Sequence, residues 1–185
     1  MNAASTARRG LLAVSVALGL IITLGACSSS EPTGLTLAQS KSPVQLLRNE
    51  TASRIPAGLV AEVINSSDAS ENCRTPETDP EGLERSWKSS ARITLTPEAD
   101  LDLVMSKLFI SFREDGWEQG TFGSDTIIEF TKPDSVAKIH ITTSSKEGEA
   151  TAIQVKVSGP CVMTAGEKSD EVIKLEANAA AAIQE

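Results

Sequence analysis

The sequence predicts an α+β domain, with an antiparallel sheet of about four strands, one helix packed on a face and a further N-terminal helix. Three observations carry this. The stretch 86–95, SWKSSARITL, alternates, with Trp87, Ala91, Ile93 and Leu95 on one side and Lys88, Arg92 and Thr94 on the other, the signature of a half-buried strand. Leu101, Val104, Met105, Leu108 and Phe112 follow at helical spacing, which makes one apolar helix face. Three β-rich stretches then come at 125–132, 135–143 and 151–158, separated by Lys132-Pro133-Asp134 and by Lys146-Glu147-Gly148-Glu149. Turns this short join antiparallel neighbours. One helix against one face of such a sheet is the natural packing.

In chain order, residues 28–41 are expected to be a tether. Ser42-Pro43-Val44-Gln45 reads as a helix start, with a serine cap, proline in the first turn and glutamine completing a capping box. That helix should end before Ile55-Pro56. The stretch 58–64, GLVAEVI, suits a helix or a short strand equally, and 65–82 is expected to be a loop. After the 86–95 strand, Thr96-Pro97-Glu98 is expected to cap a helix over 97–115, with Glu98, Asp100 and Asp102 at its positive end and Gly116 ending it. The tail 164–185 is either helical or disordered.

The front of the chain is a targeting segment. Arg8 and Arg9 are the only charges before an apolar run from Leu11 to Leu24, the layout of a signal peptide and short for a membrane-spanning helix. Leu24-Gly25-Ala26-Cys27 resembles the bacterial lipobox. The resemblance implies a diacylglyceryl thioether on Cys27 and cleavage between Ala26 and Cys27. Two acyl chains anchor a protein stably where one does not, and no transmembrane helix is expected after residue 27. Arg8-Arg9-Gly10-Leu11-Leu12 also faintly resembles a twin-arginine export signal, although general secretion is the default route.

The domain layout expected is therefore a signal peptide at 1–26, the lipidated cysteine and tether at 27–41, one α+β domain at 42–163 and the tail. Lipidation of Cys27 leaves Cys73 and Cys161 as a pair in an oxidising compartment, where a disulfide is expected. Closing so long a loop is worth about 4–5 kcal/mol in the chain-entropy account. Arg8 and Arg9 are two of the 17 basic residues, so the chain from Cys27 carries 15 against 25 acidic ones, a formal charge of −10. That argues against nucleic acid and against a polybasic grip on anionic lipid.

The lipobox, the cysteine before a Trp-bearing strand, the EDGW that ends the helix (114–117) and the GPCV at 159–162 resemble small lipoproteins of actinobacterial cell envelopes. The resemblance implies a lipid-anchored, extracytoplasmic location and this layout, and no particular activity.

Catalytic chemistry finds no foothold. His140, the single histidine, shares a strand face with Lys138 and Thr142 and is expected to face solvent. No nucleophile elbow is present. Gly120-Thr121-Phe122-Gly123-Ser124 is a glycine pair in a loop rather than a phosphate cradle. Asp79, Glu81 and Glu84 lack the spacing of a calcium loop; Glu147 and Glu149 flank a turn; Asp100 and Asp102 are explained by capping. Neither a metal nor a cofactor is expected. Trp87, Leu101, Met105, Phe112 and Trp117 are expected either to wall the core or to line a groove for an acyl chain, glycan or partner segment. The function expected is a non-enzymatic binding module of the envelope. The alternative is a carrier of an apolar ligand held between helix and sheet.

Overall fold

A computed structural model describes residues 34–122, 124–145 and 150–183. Helix α1 spans Leu37–Ser53 and begins earlier than the sequence suggests. Its capping box is Thr36 with Gln39: the Gln39 amide donates to Thr36 Oγ1 at 3.2 Å, and the Thr36 amide donates to Gln39 Oε1 at 2.9 Å. The expected start at Ser42 is therefore corrected, residues 37–41 of the expected tether are helical, and Pro43 lies inside the helix. The helix buries a mostly polar stripe, Leu37, Ser40, Val44, Arg48 and Thr51, so no apolar period marks the first turn before Ser42. It stops before Ile55-Pro56, as expected, and one 3-10 turn, Ala57–Leu59, follows.

Strand β1, Val60–Asn72, resolves the ambiguity at 58–64 and replaces most of the expected loop. It pairs antiparallel with β2, Glu84–Leu95, in whose predicted alternation Trp87, Ala91, Ile93 and Leu95 are buried. Helix α2 is Leu101–Glu114, shorter than the expected 97–115. Asp100 caps it, accepting from the Leu103 amide at 3.1 Å, while Thr96-Pro97-Glu98 forms the preceding turn. Its end is a Schellman motif: the Trp117 amide donates to Phe112 O and the Gly116 amide to Arg113 O, with Gly116 at φ 81°.

Four more strands follow: β3 (Glu118–Phe122), β4 (Ser124–Thr131), β5 (Lys138–Ser144) and β6 (Ala152–Ser158). β3 corrects the expectation of a loop around Gly120. A short β7, Val162–Met163, pairs with the start of β2, and α3, Asp170–Ile183, closes the described chain. Among the described residues the sheet has seven strands, in the order β1-β2-β6-β5-β4-β3 with β7 beside β2, all antiparallel. The α+β class holds, with a larger sheet than the four strands expected. The tail is helical from Asp170, and Val172 and Ala179 join the core.

All three helices lie on one face of the sheet. Arg48 of α1 bonds Ser89, Phe112 of α2 stacks on Phe130, and Glu176 of α3 bonds Ser70. By register these are inward positions, in line with Ile93, Ile139, Ile141, Val155 and Val157. Full burial of such side chains stabilises by roughly 1.5–3 kcal/mol each. Gly159 lets α1 approach closely, since a Cβ there would meet Val44 Cγ2 at 3.0 Å.

The Cys73–Cys161 disulfide is present, with Cα atoms 6.1 Å apart. It ties the end of the edge strand β1 to the segment that leads into β7. Glu84 lies close enough to make a three-ligand cluster with these sulfurs, but the disulfide leaves no thiolate to ligate.

Candidate binding face on the open side of the sheet

Val60 and Val63 face inward opposite Leu95 and Ile93 at the start of β1, but from Asp68 onward its inner side is polar, and Asp68, Ser70 and Asn72 are held from a helix or from β2. The Asp68 carboxylate, 3% exposed, accepts from Arg48 Nη1 (2.9 Å), Gln45 Nε2 (2.9 Å) and Trp87 Nε1 (2.8 Å). Arg48 Nη1 also donates to Ser89 Oγ at 2.7 Å. Next to this clamp, Ser70 Oγ donates to Glu176 Oε1 at 2.6 Å, and Arg85 donates to Ser70 and Asn72. These are structural clamps: Asp68, Arg48 and Arg85 are buried and satisfied, while Glu176 and Asn72 close the cluster from the surface.

The groove residues expected from sequence divide between two places. Trp87 is fully buried; its indole bonds Asp68, and Lys41 Nζ stands 5.0 Å from its ring centroid. Phe112 stacks on Phe130 with centroids 4.6 Å apart and meets Trp117 edge-on at 5.9 Å, while Arg54 lies over it at 4.6 Å. Met105 is buried beside them and Leu101 is partly buried against the same core. These rings fill the core rather than line an opening. An apolar groove of about 490 Å³ does occur elsewhere, where the end of α1 meets β1, lined by Ala52, Ile55, Pro56, Ala57, Val60 and Val63.

The opposite face of the sheet carries no helix among the described residues. Its three central strands read ERSWKSSARITL in β2, AIQVKVS in β6 and KIHITTS in β5; Glu84 at the start of β2 is their one acid, and register sets Glu62 and Glu71 of β1, Glu118 of β3 and Glu129 of β4 on the same side. Lys88 and Arg92 project outward from β2, Lys156 from β6, and Lys138 and His140 from β5. Register sets them in rows. Ser90, Lys156, His140 and Glu129 stand directly opposite one another across four strands, and Lys88 shares the next row with Ser158 and Lys138. Thr142 and Ser158 stand in the rows of Arg92 and Lys88, and the buried Ser90 hydroxyl is bonded to Ser67 Oγ at 2.6 Å.

Two acids from flanking strands order these cations. Glu71 of β1 receives both Lys88 Nζ and Lys156 Nζ, the latter at 3.3 Å. Glu129 of β4 pairs with His140 Nε2 at 2.9 Å and Lys138 Nζ at 3.5 Å. Burial alone would raise the Glu71 carboxyl, but hydrogen bonds and charge from Lys88 and Lys156 outweigh it and hold it below the usual carboxylate range. Burial acts the same way on Glu129, where His140 and Lys138 outweigh it. Among the described residues Arg92 forms no ion pair. Among the described residues the four permanent cations of this side, Lys88, Arg92, Lys138 and Lys156, share it with the carboxylates of Glu62, Glu71, Glu84, Glu118 and Glu129, so the face mixes both signs rather than being positive.

The other sequence candidates have structural roles. Asp79 accepts from the Leu83 and Glu84 amides at 2.9 and 2.8 Å and so folds its own loop. Those backbone bonds hold its carboxyl below the usual range. Glu84 pairs with Arg74, and Glu81 accepts the Glu167 amide through its backbone at 3.1 Å. Ala26, Cys27, Glu147 and Glu149 lie outside the described residues. Sequence reading missed this charged face, although part of its signal was in view: Lys88 and Arg92 alternate outward on β2, and Lys138 and His140 on β5. Only the register shows that β6 brings Lys156 between them. Among the described residues no helix is long and apolar enough to cross a membrane. No protein-family model matches the chain, and no curated protein or solved structure matches it significantly.

Proposed function

We propose that this chain is a lipid-anchored, extracytoplasmic binding module without catalytic activity, engaging a component of the cell envelope through the open face of its sheet. One observation carries the reading: the helix-free face of the sheet presents an ordered array of paired charges and hydroxyls with Arg92 outside any ion pair among the described residues, while the buried polar groups are committed to holding helices on the sheet. Cys27 is the proposed anchor, as a thioether formed after cleavage at Ala26. With α1 starting at Leu37, residues 27–36 give at most about 33–36 Å of reach, so the domain would work close to its membrane. Cys27→Ala should leave the chain unprocessed or release it from membranes; a cleaved product retained normally in the membrane fraction would sink the anchor.

A second reading, carriage of an apolar ligand, is favoured by the groove between Ile55, Pro56, Val60 and Val63. Native mass spectrometry of the full chain, extracted gently from its own membrane, separates the two. A co-purifying apolar mass that leaves on denaturation supports carriage. A chain bearing only its acyl groups supports the binding module.

A further inference from the structure

Independently of what the open face engages, we propose that the free edge of β1 joins the same edge of a second copy of this chain, as an antiparallel pair with its two-fold axis at Val63. The sheet ends in two edge strands, β3 with five residues and β1 with thirteen. An edge strand leaves a row of backbone groups unpaired, and folds shorten, bulge or cover such edges. The second half of β1 is covered. The Ser70 amide donates to Glu176 Oε1 of α3 at 3.2 Å, and Ser70 O accepts from Arg85 Nη2 at 3.1 Å. The first half is not: Ala61, Glu62, Val63 and Ile64 are all exposed. Register places Val63 on the helix-bearing side, opposite Ile93, and Ile64 on the open side, opposite Arg92. They are 50% and 44% exposed. A strand apolar on both faces belongs inside a sheet rather than at its rim. Irregular pairing after Val60 and after Asn65 leaves 62–65 as the regular run available to a partner.

Charge selects both the occupant and the register. Arg92 and Glu62 lie on the open side, and neither forms an ion pair among the described residues. With Val63 opposite Val63 of the second copy, Glu62 of that copy stands opposite Ile64, at the outer end of the row that already holds Arg92. Arg92 and that carboxylate are then two strands apart, about 9.6 Å between backbones, a span that an extended arginine and glutamate close together. The two-fold axis repeats the pair, as an isologous contact must. Moving the axis to Ile64 would instead join the two Arg92 rows end to end, with like charges facing. On the helix-bearing side, the groove lined by Ile55, Pro56, Val60 and Val63 borders the same run. Pairing at Val63 sets the grooves of the two copies side by side over a continuous apolar floor. A foreign strand offers neither the reciprocal Glu62 nor the second groove.

The test uses the full chain in the cells that make it. In an antiparallel pair the residue on the two-fold axis meets itself with Cα atoms about 4.5–5.5 Å apart, inside the range that a disulfide spans. Val63→Cys should therefore link two chains, seen as a dimer band without reductant and as a peptide that contains position 63 twice. Ser67→Cys, exposed on the same strand, lies off the axis and should not link. In the Val63→Cys background, Glu62→Arg or Arg92→Glu should lower the linked fraction about tenfold, the ratio expected when two exposed ion pairs become repulsions. The two changes together should restore it. Peptide mapping of the Cys73–Cys161 bridge confirms the fold of each variant. No link at position 63 in a chain whose bridge is intact would overturn the proposal. So would equal linking at 63 and 67, or a double charge variant that links no better than either single one. A monomer that carries an apolar mass gives the groove to the ligand of the second reading, and it too overturns the pairing.

Discussion

Asp68→Ala should be among the most destabilising single substitutions in this chain. The carboxylate is 3% exposed and its partner Arg48 is 6% exposed, so removal leaves a buried guanidinium without its counter-charge. It also leaves the Trp87 indole and the Gln45 amide without their acceptor. Breaking a buried pair from one side costs about 3–5 kcal/mol, and an orphaned buried donor costs about 1–3 kcal/mol by itself. These overlap, so the expected loss is about 3–5 kcal/mol, a large part of the roughly 5–15 kcal/mol that a domain has. In urea the midpoint should fall sharply with little change in slope. The control is the double variant Arg48→Met with Asp68→Leu, which removes both charges and fills the space with apolar atoms. Such replacements are often neutral or stabilising, so the double variant should recover most of the loss, short of the share due to the Trp87 indole. A single variant costing under about 1 kcal/mol, or a double variant no more stable than the single, would refute the claim that this ion pair clamps α1 to the sheet.

The remaining predictions are simpler. Replacing Cys73 and Cys161 by serine opens a link across 88 positions and should cost about 4–5 kcal/mol by chain entropy; thermal melting that matches the parent would refute a stabilising bridge. Gly116→Ala forces a side chain into a backbone at φ 81° and should cost about 1 kcal/mol, read from the urea midpoint. Stability should fall in acid: Glu71, Glu129 and Asp79 bind protons less readily folded than unfolded. Their contribution is therefore complete above their ordinary values of 4.5 and 3.8 and is lost as pH falls through the lowered folded values. Glu71→Gln with Glu129→Gln should flatten that acid limb, and a urea midpoint independent of pH down to about 3 would contradict the pairings.

How far the sequence reaches depends on what buries each element. Where burial is apolar, period alone sufficed: β2 and α2 were legible from Trp87, Ile93 and Leu95 and from Val104, Leu108 and Phe112, because hydrophobic side chains mark the inward face whatever they pack against. The disulfide between Cys73 and Cys161, expected on the reading that Cys27 is lipidated and the chain exported, is present. Element ends were less so. Thr96 and Asp100 are both good caps, and only the turn closed by the Ala99 amide on Thr96 O chose Asp100. β1 and the first turn of α1 escaped because Asp68, Ser70, Ser40 and Arg48 are polar residues at buried positions. The Ser40 hydroxyl is met locally, by Leu37 O, but burial of Asp68, Ser70 and Arg48 is favourable only because each meets a partner far away in sequence, and no local pattern announces that.

The sequence by itself determined the class of fold, the helix and strands with apolar faces, and the cysteine pair. The tertiary structure alone decided that the polar strand Val60–Asn72 belongs to the sheet, that Asp170–Ile183 packs as a helix, and that β6 lies between β2 and β5. Strand order is a matter of long-range hydrogen-bond partnering, and it places Lys156 between Ser90 and His140. Alternation along one strand sets which side a residue faces, but only its neighbours across the sheet decide what it faces with.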